Sequence, residues 1–233
     1  MNLKQTLAAL KKAGTPQNVK VYRRHGAQGE LFGVSFAELK KLKKQIGVDH
    51  ALAEELWATG NADAMSLATM VADPAELTKS AADRWLRGVD YYMVGDLFAG
   101  LVARSPVGLS RYEKWSGSKR EYPRQVGYAV LASLLVNDAD GVADAVCKEA
   151  LGTIEAEIHG SQNRARHAMN NALISIGSFK PDLAVAAVET AGRIGPLEVD
   201  HGETGCKTPD AAAYIEKTLA SRADGAPRRR KRC

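Results

Sequence analysis

The sequence predicts an all-α protein, and three observations support this. Apolar residues recur at helical spacing along nearly the whole chain, for example at Val126, Ala129, Val130 and Leu134, which are positions i, i+3, i+4 and i+8 of one helix face. Stretches with the composition of helix ends follow at intervals of roughly ten to twenty residues. Alternating apolar and polar runs joined by hairpin turns, which would indicate strands, are absent from the sequence.

Capping residues at these breaks set the predicted helix boundaries. Gly47, Gly60 and Gly177 follow apolar stretches, where glycine most easily adopts the left-handed conformation of a C-cap. Asp49 and Asn61 follow two of the breaks and are N-cap candidates, because their side-chain oxygens can accept hydrogen bonds from the first helical amides.

Prolines mark the starts of further helices, since proline is tolerated in the first helical turn. They are Pro74, Pro123, Pro181 and Pro209, and Thr208 is a cap candidate before the last of them. Together these signals predict helices over residues 2–13, 17–25, 36–46, 49–58, 61–72, 75–87, 90–104, 107–115, 122–136, 140–158, 163–177, 181–194 and 209–221.

Short helices with short links and no long heptad runs favour an α-solenoid of antiparallel helix pairs, of the HEAT or armadillo kind. A globin-like or irregular helical arrangement is the alternative. We expect a single helical-repeat domain over residues 1–222, followed by a disordered basic tail over residues 223–233. The concave face of a solenoid would present one helix of each pair to a long partner.

Composition restricts the class of protein. Of the 233 residues, 45% are hydrophobic and three are cysteines, which allows a full core and excludes a disulfide scaffold. No apolar run approaches the roughly 18 residues of a membrane span, and the N-terminal segment lacks the apolar centre of a signal peptide. We therefore expect a cytoplasmic protein that binds no membrane and acts as a monomer.

The positive charge is concentrated at the C-terminus. Lys and Arg number 32 against 27 Asp and Glu, and residues 228–232 are five consecutive basic residues. Without them the charges balance, so a nucleic-acid surface on the body would need an uneven placement of charge. The basic tail would either add sequence-independent affinity for DNA or be a solvated terminus without consequence.

A series of segments points to one family. They are residues 22–26, 31–35, 39–42, 52–57, 61–64, 67–68, 115, 122–124, 163–170, 199–202 and 206–207. In their order and spacing they resemble the AlkD-like DNA alkylation repair family, HEAT-repeat alkylpurine DNA glycosylases, over roughly residues 20 to 233. The closing segments resemble a subgroup of that family.

The resemblance implies hydrolysis of the bond between deoxyribose and a purine alkylated at a ring nitrogen. Such a base is already cationic and leaves as a neutral molecule, so the positive charge that develops lies on the sugar, where a fixed carboxylate would stabilise it. The family acts without fully extruding the base. Its Trp-x-x-x-Asp motif falls on residues 92–96, which places Asp96 as the catalytic carboxylate with Tyr92 beside it.

Arg124 matches an arginine that the family places near the carboxylate, where it would hold a phosphate or orient Asp96. Apolar residues on both sides of Asp96 suggest that it lies on or beside a buried stripe. The alternatives are a capping or ion-paired Asp96 and an ordinary exposed Arg124. Trp115 or Trp85 would supply a further aromatic wall.

Three positions depart from the family pattern. Tyr92 stands where the family has its first cleft tryptophan, Asn171 aligns near the second, and Gln125 replaces the second arginine of a pair. Since these groups recognise a cationic base, their loss favours an inactive relative that binds branched or bulged DNA. A third possibility is a scaffold that binds protein.

The candidate partner is double-stranded DNA, with or without alkylated bases, held in a basic concave groove. Beside the candidate catalytic residues Asp96, Arg124 and Tyr92, the candidate DNA-binding residues are Arg23, Arg24, Lys40, Lys41, Lys44, Trp115, Tyr122, Arg164 and Arg166. Lys43 belongs to the same basic run. A solvated helix face is the alternative for such a run.

His201, Cys206 and Cys233 could suggest a metal site. They lack the short Cys-x-x-Cys or His-x-x-x-His spacing of zinc sites, and a turn that caps the last repeat is the preferred interpretation of residues 202–206. No metal or nucleotide cofactor is expected.

Overall fold

The computed structural model describes residues 1–223, and the regular secondary structure of this part of the chain is helical. The only β feature in that range is an isolated bridge between Gly14 and Val34. The helices are α1 (Leu3–Ala13), α2 (Pro16–Arg24), α3 (Phe36–Ile46), α4 (His50–Ala58), α5 (Ala62–Val71), α6 (Lys79–Leu86), α7 (Tyr92–Val102), α8 (Gly108–Ser116), α9 (Glu121–Asn137), α10 (Asp144–Glu157), α11 (Asn163–Phe179), α12 (Ala184–Ile194) and α13 (Ala211–Ala223). The predicted all-α class is confirmed.

Side-chain caps explain where several helices begin. Asp49 accepts a hydrogen bond from the Leu52 amide at 2.9 Å, and Asn61 accepts from the Asp63 and Ala64 amides, as their sequence positions predict. Gly47 follows α3 with a φ of +78° and a ψ of −140°. The positive φ favours glycine, as expected, although the conformation is not that of a left-handed αL cap.

Two of the predicted helix ends are wrong. Gly177 lies inside α11, where an added Cβ would come within 2.6 Å of Ile215 and 2.9 Å of Ala187. Its small size therefore allows close packing against α12 and α13 rather than a chain reversal. Asp210, not Thr208, caps α13 by accepting from the Ala213 amide at 2.8 Å.

Smaller differences concern helix starts. Pro74 and Pro181 each begin a short 3-10 turn, over Pro74–Glu76 and Pro181–Leu183, before the following α-helix. The helix predicted from residue 140 begins at Asp144.

The chain divides into two compact units. The N-terminal unit comprises Met1–Arg111 with Gly202–Thr204, and the C-terminal unit comprises Tyr112–His201 with the residues from Gly205 onward. In the N-terminal unit, α5 packs against α1, α3, α4 and α7. In the C-terminal unit, α11 packs against α9, α10, α12 and α13. A single domain over residues 1–222 stays a prediction.

Two further expectations concern membrane-spanning helices and the C-terminal tail. No helix within residues 1–223 is long and apolar enough to cross a membrane. The predicted disordered tail and its basic run at 228–232 lie outside the described residues, apart from residue 223 at the end of α13.

Candidate nucleic-acid interface

Tyr92 and Asp96 both lie on α7 of the N-terminal unit. Asp96 comes four positions after Tyr92, so the two residues lie one turn apart on the same side of the helix. Tyr92 is half-buried and Asp96 is exposed, whereas Gly95 and Phe98 are buried. Asp96 therefore lies beside the buried stripe of α7 rather than on it, one of the two expected positions, because its buried neighbours point to the other side of the helix.

His25 holds Tyr92 in place. Its Nδ1 lies 3.0 Å from the Tyr92 hydroxyl, and the rings lie 6.4 Å apart between centroids. The ring of Tyr91 contacts that of Tyr92 edge-on at 5.3 Å, and Tyr91 itself is buried. The sequence contains no signal for the contact between His25 and Tyr92, since 67 residues separate them.

All three tryptophans are core residues. Trp57, Trp85 and Trp115 are 7%, 0% and 3% exposed. Trp57 and Trp85 stack on each other, and both contact the ring of Phe98 at a tilt. The Trp85 indole N–H donates to the Glu54 carboxylate at 3.0 Å. The expectation that Trp115 or Trp85 forms an accessible aromatic wall is therefore wrong, because rings this buried offer no face to a ligand.

Arg124 is paired inside the C-terminal unit. Its guanidinium is 6% exposed and donates from Nη2 to the Glu157 carboxylate. This contact holds the pKa of the Glu157 carboxyl below its usual range. The Arg124 guanidinium also hydrogen-bonds the buried Tyr128 hydroxyl. Arg124 therefore joins α9 to α10, and its predicted action on Asp96 or a phosphate stays a prediction.

The basic residues on α2 and α3 are exposed, as predicted. They are Arg23, Arg24, Lys40, Lys41, Lys43 and Lys44. Arg23 donates to the Ala27 carbonyl at 2.7 Å and Lys41 pairs with Glu38 at 2.6 Å. Exposed cations on neighbouring helices are suited to phosphate contacts that do not depend on base sequence.

Arg166 is a structural residue. Its side chain donates to the backbone carbonyls of Ile158, His159, Ser161 and Glu198. Four of the five N–H groups of its guanidinium are thereby engaged by backbone carbonyls, and its predicted contact with DNA stays a prediction.

Tyr122 and Arg164 are half-buried. The Arg164 backbone amide donates to the Glu121 carboxylate at 2.7 Å, which links the starts of α9 and α11. Their predicted contacts with DNA stay predictions.

Asp63 is an important residue that the sequence analysis missed. It is 3% exposed, and its carboxylate accepts hydrogen bonds from the Phe32, Gly33 and Val34 amides at 2.6 to 2.9 Å. Burial raises its pKa, while the three amides act against that rise. Asp63 therefore fixes the loop between α2 and α3, which carry the exposed basic residues. The available signal was an acidic residue in the apolar helix Ala62–Val71.

The segment after α12 is fastened to α11. Asn163 and Asp200 exchange two hydrogen bonds of 2.7 Å, and Asn170 donates to the Pro209 carbonyl at 3.0 Å. His167 and His201 meet edge-on at 5.3 Å between ring centroids. Burial, assisted by the positive charges of His201 and Arg164, lowers the pKa of His167 to about 4.

Within residues 1–223, no group of three or more His, Cys, Asp or Glu side chains could hold a metal ion. Cys206 is exposed, and Cys233 lies outside the described residues. His201 instead hydrogen-bonds the Thr208 hydroxyl at 3.0 Å.

Comparison with known proteins places this chain among DNA repair proteins. A family model described as DNA alkylation repair enzyme matches residues 6–215. An uncharacterized protein of Listeria innocua, Lin0241, is 30% identical over 209 residues, 87% of this chain and 90% of the relative. The Listeria monocytogenes protein Lmo0209, also uncharacterized, is 28% identical with the same coverage.

One solved structure is similar over the whole of both chains, with a TM-score of 0.89 and 31% identity. It is described as belonging to a new family of proteins related to the HEAT-like repeat DNA glycosylases, with affinity for branched DNA structures. The predicted HEAT-like helical-repeat fold is thereby confirmed. The chain belongs to the DNA alkylation repair enzyme family.

Proposed function

We propose that this protein binds branched DNA without excising alkylated bases. The observation that carries the proposal is the burial of all three tryptophans, none of which is more than 7% exposed. An exposed indole face is the strongest protein group for contacting a cationic base. Without an exposed indole, recognition of an alkylated purine would depend on Tyr92, whose hydroxyl is hydrogen-bonded to the His25 ring.

Two other sites that the family would use for recognition are occupied or changed. Arg124 is paired with Glu157, and the adjacent Gln125 is buried inside α9. Asn171 is half-buried on α11 and has no aromatic ring. These features reduce the selectivity for alkylated bases, whereas backbone contacts by exposed cations are retained. The affinity for branched DNA of the structurally similar protein supports the same proposal.

Binding to a four-way junction and to a linear duplex of the same length and base composition tests this proposal. Both substrates are labelled, and each titration is repeated at several salt concentrations, because backbone-dominated binding weakens as salt increases. We expect a lower Kd for the junction at every salt concentration. Equal affinity for the two substrates would contradict a preference for branched DNA.

Hydrolysis of the glycosidic bond of alkylated purines is the second candidate function. It is supported by the exposure of Asp96 on α7, one turn from Tyr92, where a carboxylate is accessible to a sugar cation. Release of free base from duplex DNA that contains 7-methylguanine separates the two candidates, because branched-DNA binding alone releases none.

A further inference from the structure

Charge is strongly segregated along the chain. Residues 1–48 contain ten Lys or Arg and only two acidic residues, a formal charge of +8. Residues 49–223 contain 17 Lys or Arg and 24 Asp or Glu, a formal charge of −7. The near-neutral body therefore combines a cationic N-terminal segment with an acidic remainder, and only the first can attract a polyanion through its net charge.

The ten cationic side chains of α1, α2 and α3 are all exposed. We call them the basic face: Lys4, Lys11, Lys12, Lys20, Arg23, Arg24, Lys40, Lys41, Lys43 and Lys44. The buried residues of these helices are Thr6 and Leu10 on α1 and Leu39 and Leu42 on α3, and α2 has none. The cations therefore project into solvent while the apolar sides pack into the N-terminal unit.

Helix-end electrostatics explains only part of this arrangement. Lysine and arginine pairs in the last turns of α1, α2 and α3 complement the helix dipoles. Lys4, Lys20 and Lys40 lie outside those turns, so the helix dipoles do not explain them. Elsewhere on a helix surface, a cation is stabilised by an acidic side chain three or four positions away.

Local acidic residues do not neutralise the basic face. Residues 1–48 contain only Glu30 and Glu38 as acids, and Glu38 pairs with Lys41. Elsewhere in the same unit, Glu54 is bound by Arg84 and Asp63 by three backbone amides, whereas Glu55, Asp90 and Asp96 are exposed acids. Within residues 1–48, ten cations against two acids still leave an excess of positive charge for an external partner.

We propose that the basic face is the surface that binds the phosphate backbone of DNA, an inference that rests on the proposed function. Ten exposed cations on three consecutive helices carry enough positive charge to contact several phosphates of a duplex arm. Lysines predominate among them, and lysine contacts phosphate as a point charge without reading bases. The anchoring of the loop between α2 and α3 by Asp63 keeps the two helices together when DNA binds.

Two matched triple variants of the full chain test this inference. One replaces Lys11, Lys40 and Lys44 of the basic face by glutamine, and the other replaces Lys79, Lys148 and Lys217. All six lysines are exposed, and both variants lower the net charge by three. Folding is checked by circular dichroism. The Kd for the four-way junction is measured between about 0.05 and 0.2 M salt, because the dependence of Kd on salt over this range reports the number of phosphate contacts.

We expect the basic-face variant to raise the Kd by about 10-fold or more and to reduce the slope of log Kd against log salt by about 2 to 3. The second variant should leave both values close to those of the wild type. Equal weakening by the two variants would overturn the inference, because net charge alone would then explain the effect. Unchanged binding by the basic-face variant would overturn it too, and would place the DNA elsewhere.

Two further outcomes separate this inference from its basis. Failure of the wild type to bind any DNA would overturn the proposed function, and the basic-face inference with it. Vesicles that contain phosphatidylserine serve as a second anionic partner. If the basic-face substitutions abolished vesicle binding but left junction binding unchanged, the face would belong to a membrane and the inference would be wrong.

Discussion

The indole rings of Trp57 and Trp85 stack at 4.3 Å between centroids, within 12° of parallel. Both rings lie in the core of the N-terminal unit, where Phe98 of α7 contacts each of them. Tryptophans that could have faced a ligand therefore stabilise the helix that carries Tyr92 and Asp96. The two tryptophans are therefore part of the hydrophobic core of this unit.

Replacement of Trp85 by alanine should lower the free energy of unfolding by about 3 to 5 kcal/mol, because a fully buried aromatic side chain leaves a large cavity. Urea denaturation followed by circular dichroism measures the change. Tyr214→Ala, at a largely exposed position, is the control and should change the free energy by no more than about 0.5 kcal/mol. A change of less than about 1 kcal/mol in Trp85→Ala would contradict the burial of Trp85 in the core.

Asp63→Asn should destabilise the loop between α2 and α3. Asparagine keeps one acceptor oxygen but presents an NH₂ group to backbone amides that need an acceptor, at a cost of about 1 to 3 kcal/mol for each unpaired buried group. Hydrogen exchange at the Phe32, Gly33 and Val34 amides should become faster than in the wild type.

The matched control for Asp63→Asn is Glu38→Gln. Glu38 lies near the protein surface and pairs with the exposed Lys41, so hydrogen exchange at these three amides in Glu38→Gln should equal that of the wild type. Unchanged protection in Asp63→Asn would contradict the role of the carboxylate as the loop anchor.

His167 should make the protein lose stability in mild acid. Its pKa is about 4 in the folded chain against an ordinary value of 6.5, so unfolding takes up a proton as soon as the pH falls below the unfolded value. The stability that His167 contributes is complete above about pH 6.5 and is lost progressively toward pH 4. Between pH 7 and pH 5, His167→Asn should therefore lose less of its free energy of unfolding than the wild type.

Proton NMR of the imidazole measures the same property directly. The Hε1 resonance of His167 should titrate with a midpoint near pH 4. A midpoint near the ordinary value of 6.5 would mean that the ring is not buried beside His201 and Arg164.

Replacing Arg124 should lower the free energy of unfolding more than replacing Glu157, its ion-pair partner. Arg124 is 6% exposed and Glu157 is about half exposed, so truncating Arg124 removes the more buried partner. A double-mutant cycle with Arg124→Ala and Glu157→Gln should give a coupling energy of about 0.5 to 3 kcal/mol, the range for groups in contact. Additive effects of the two substitutions would contradict the ion pair.

Helix positions could be predicted from this sequence far better than the site. Glycine at the end of α3 and the caps Asp49 and Asn61 are local signals, and local signals determine where most of these helices begin and end. Gly177 misled the prediction because its small size serves the packing of α11 against other helices, which no local pattern shows.

The predicted site residues failed where their partners are distant in sequence. Trp115 and Trp85 were expected to face a ligand, but tertiary packing buries the two rings. The same packing brings the Arg166 side chain to four backbone carbonyls, which its local sequence does not show. A tryptophan or arginine in an amphipathic helix has the same local pattern in either role. The segregation of charge between residues 1–48 and 49–223 could have been read from the sequence by counting charges in successive segments.

Base release from duplex DNA that contains 7-methylguanine, compared between the wild type and Asp96→Asn, is the most direct test of the proposal that this protein binds DNA without excising bases. With enzyme in excess over DNA, we predict that neither protein releases free base above a blank without enzyme. Release of base by the wild type that is lost in Asp96→Asn would contradict the proposal and establish Asp96 as the catalytic carboxylate.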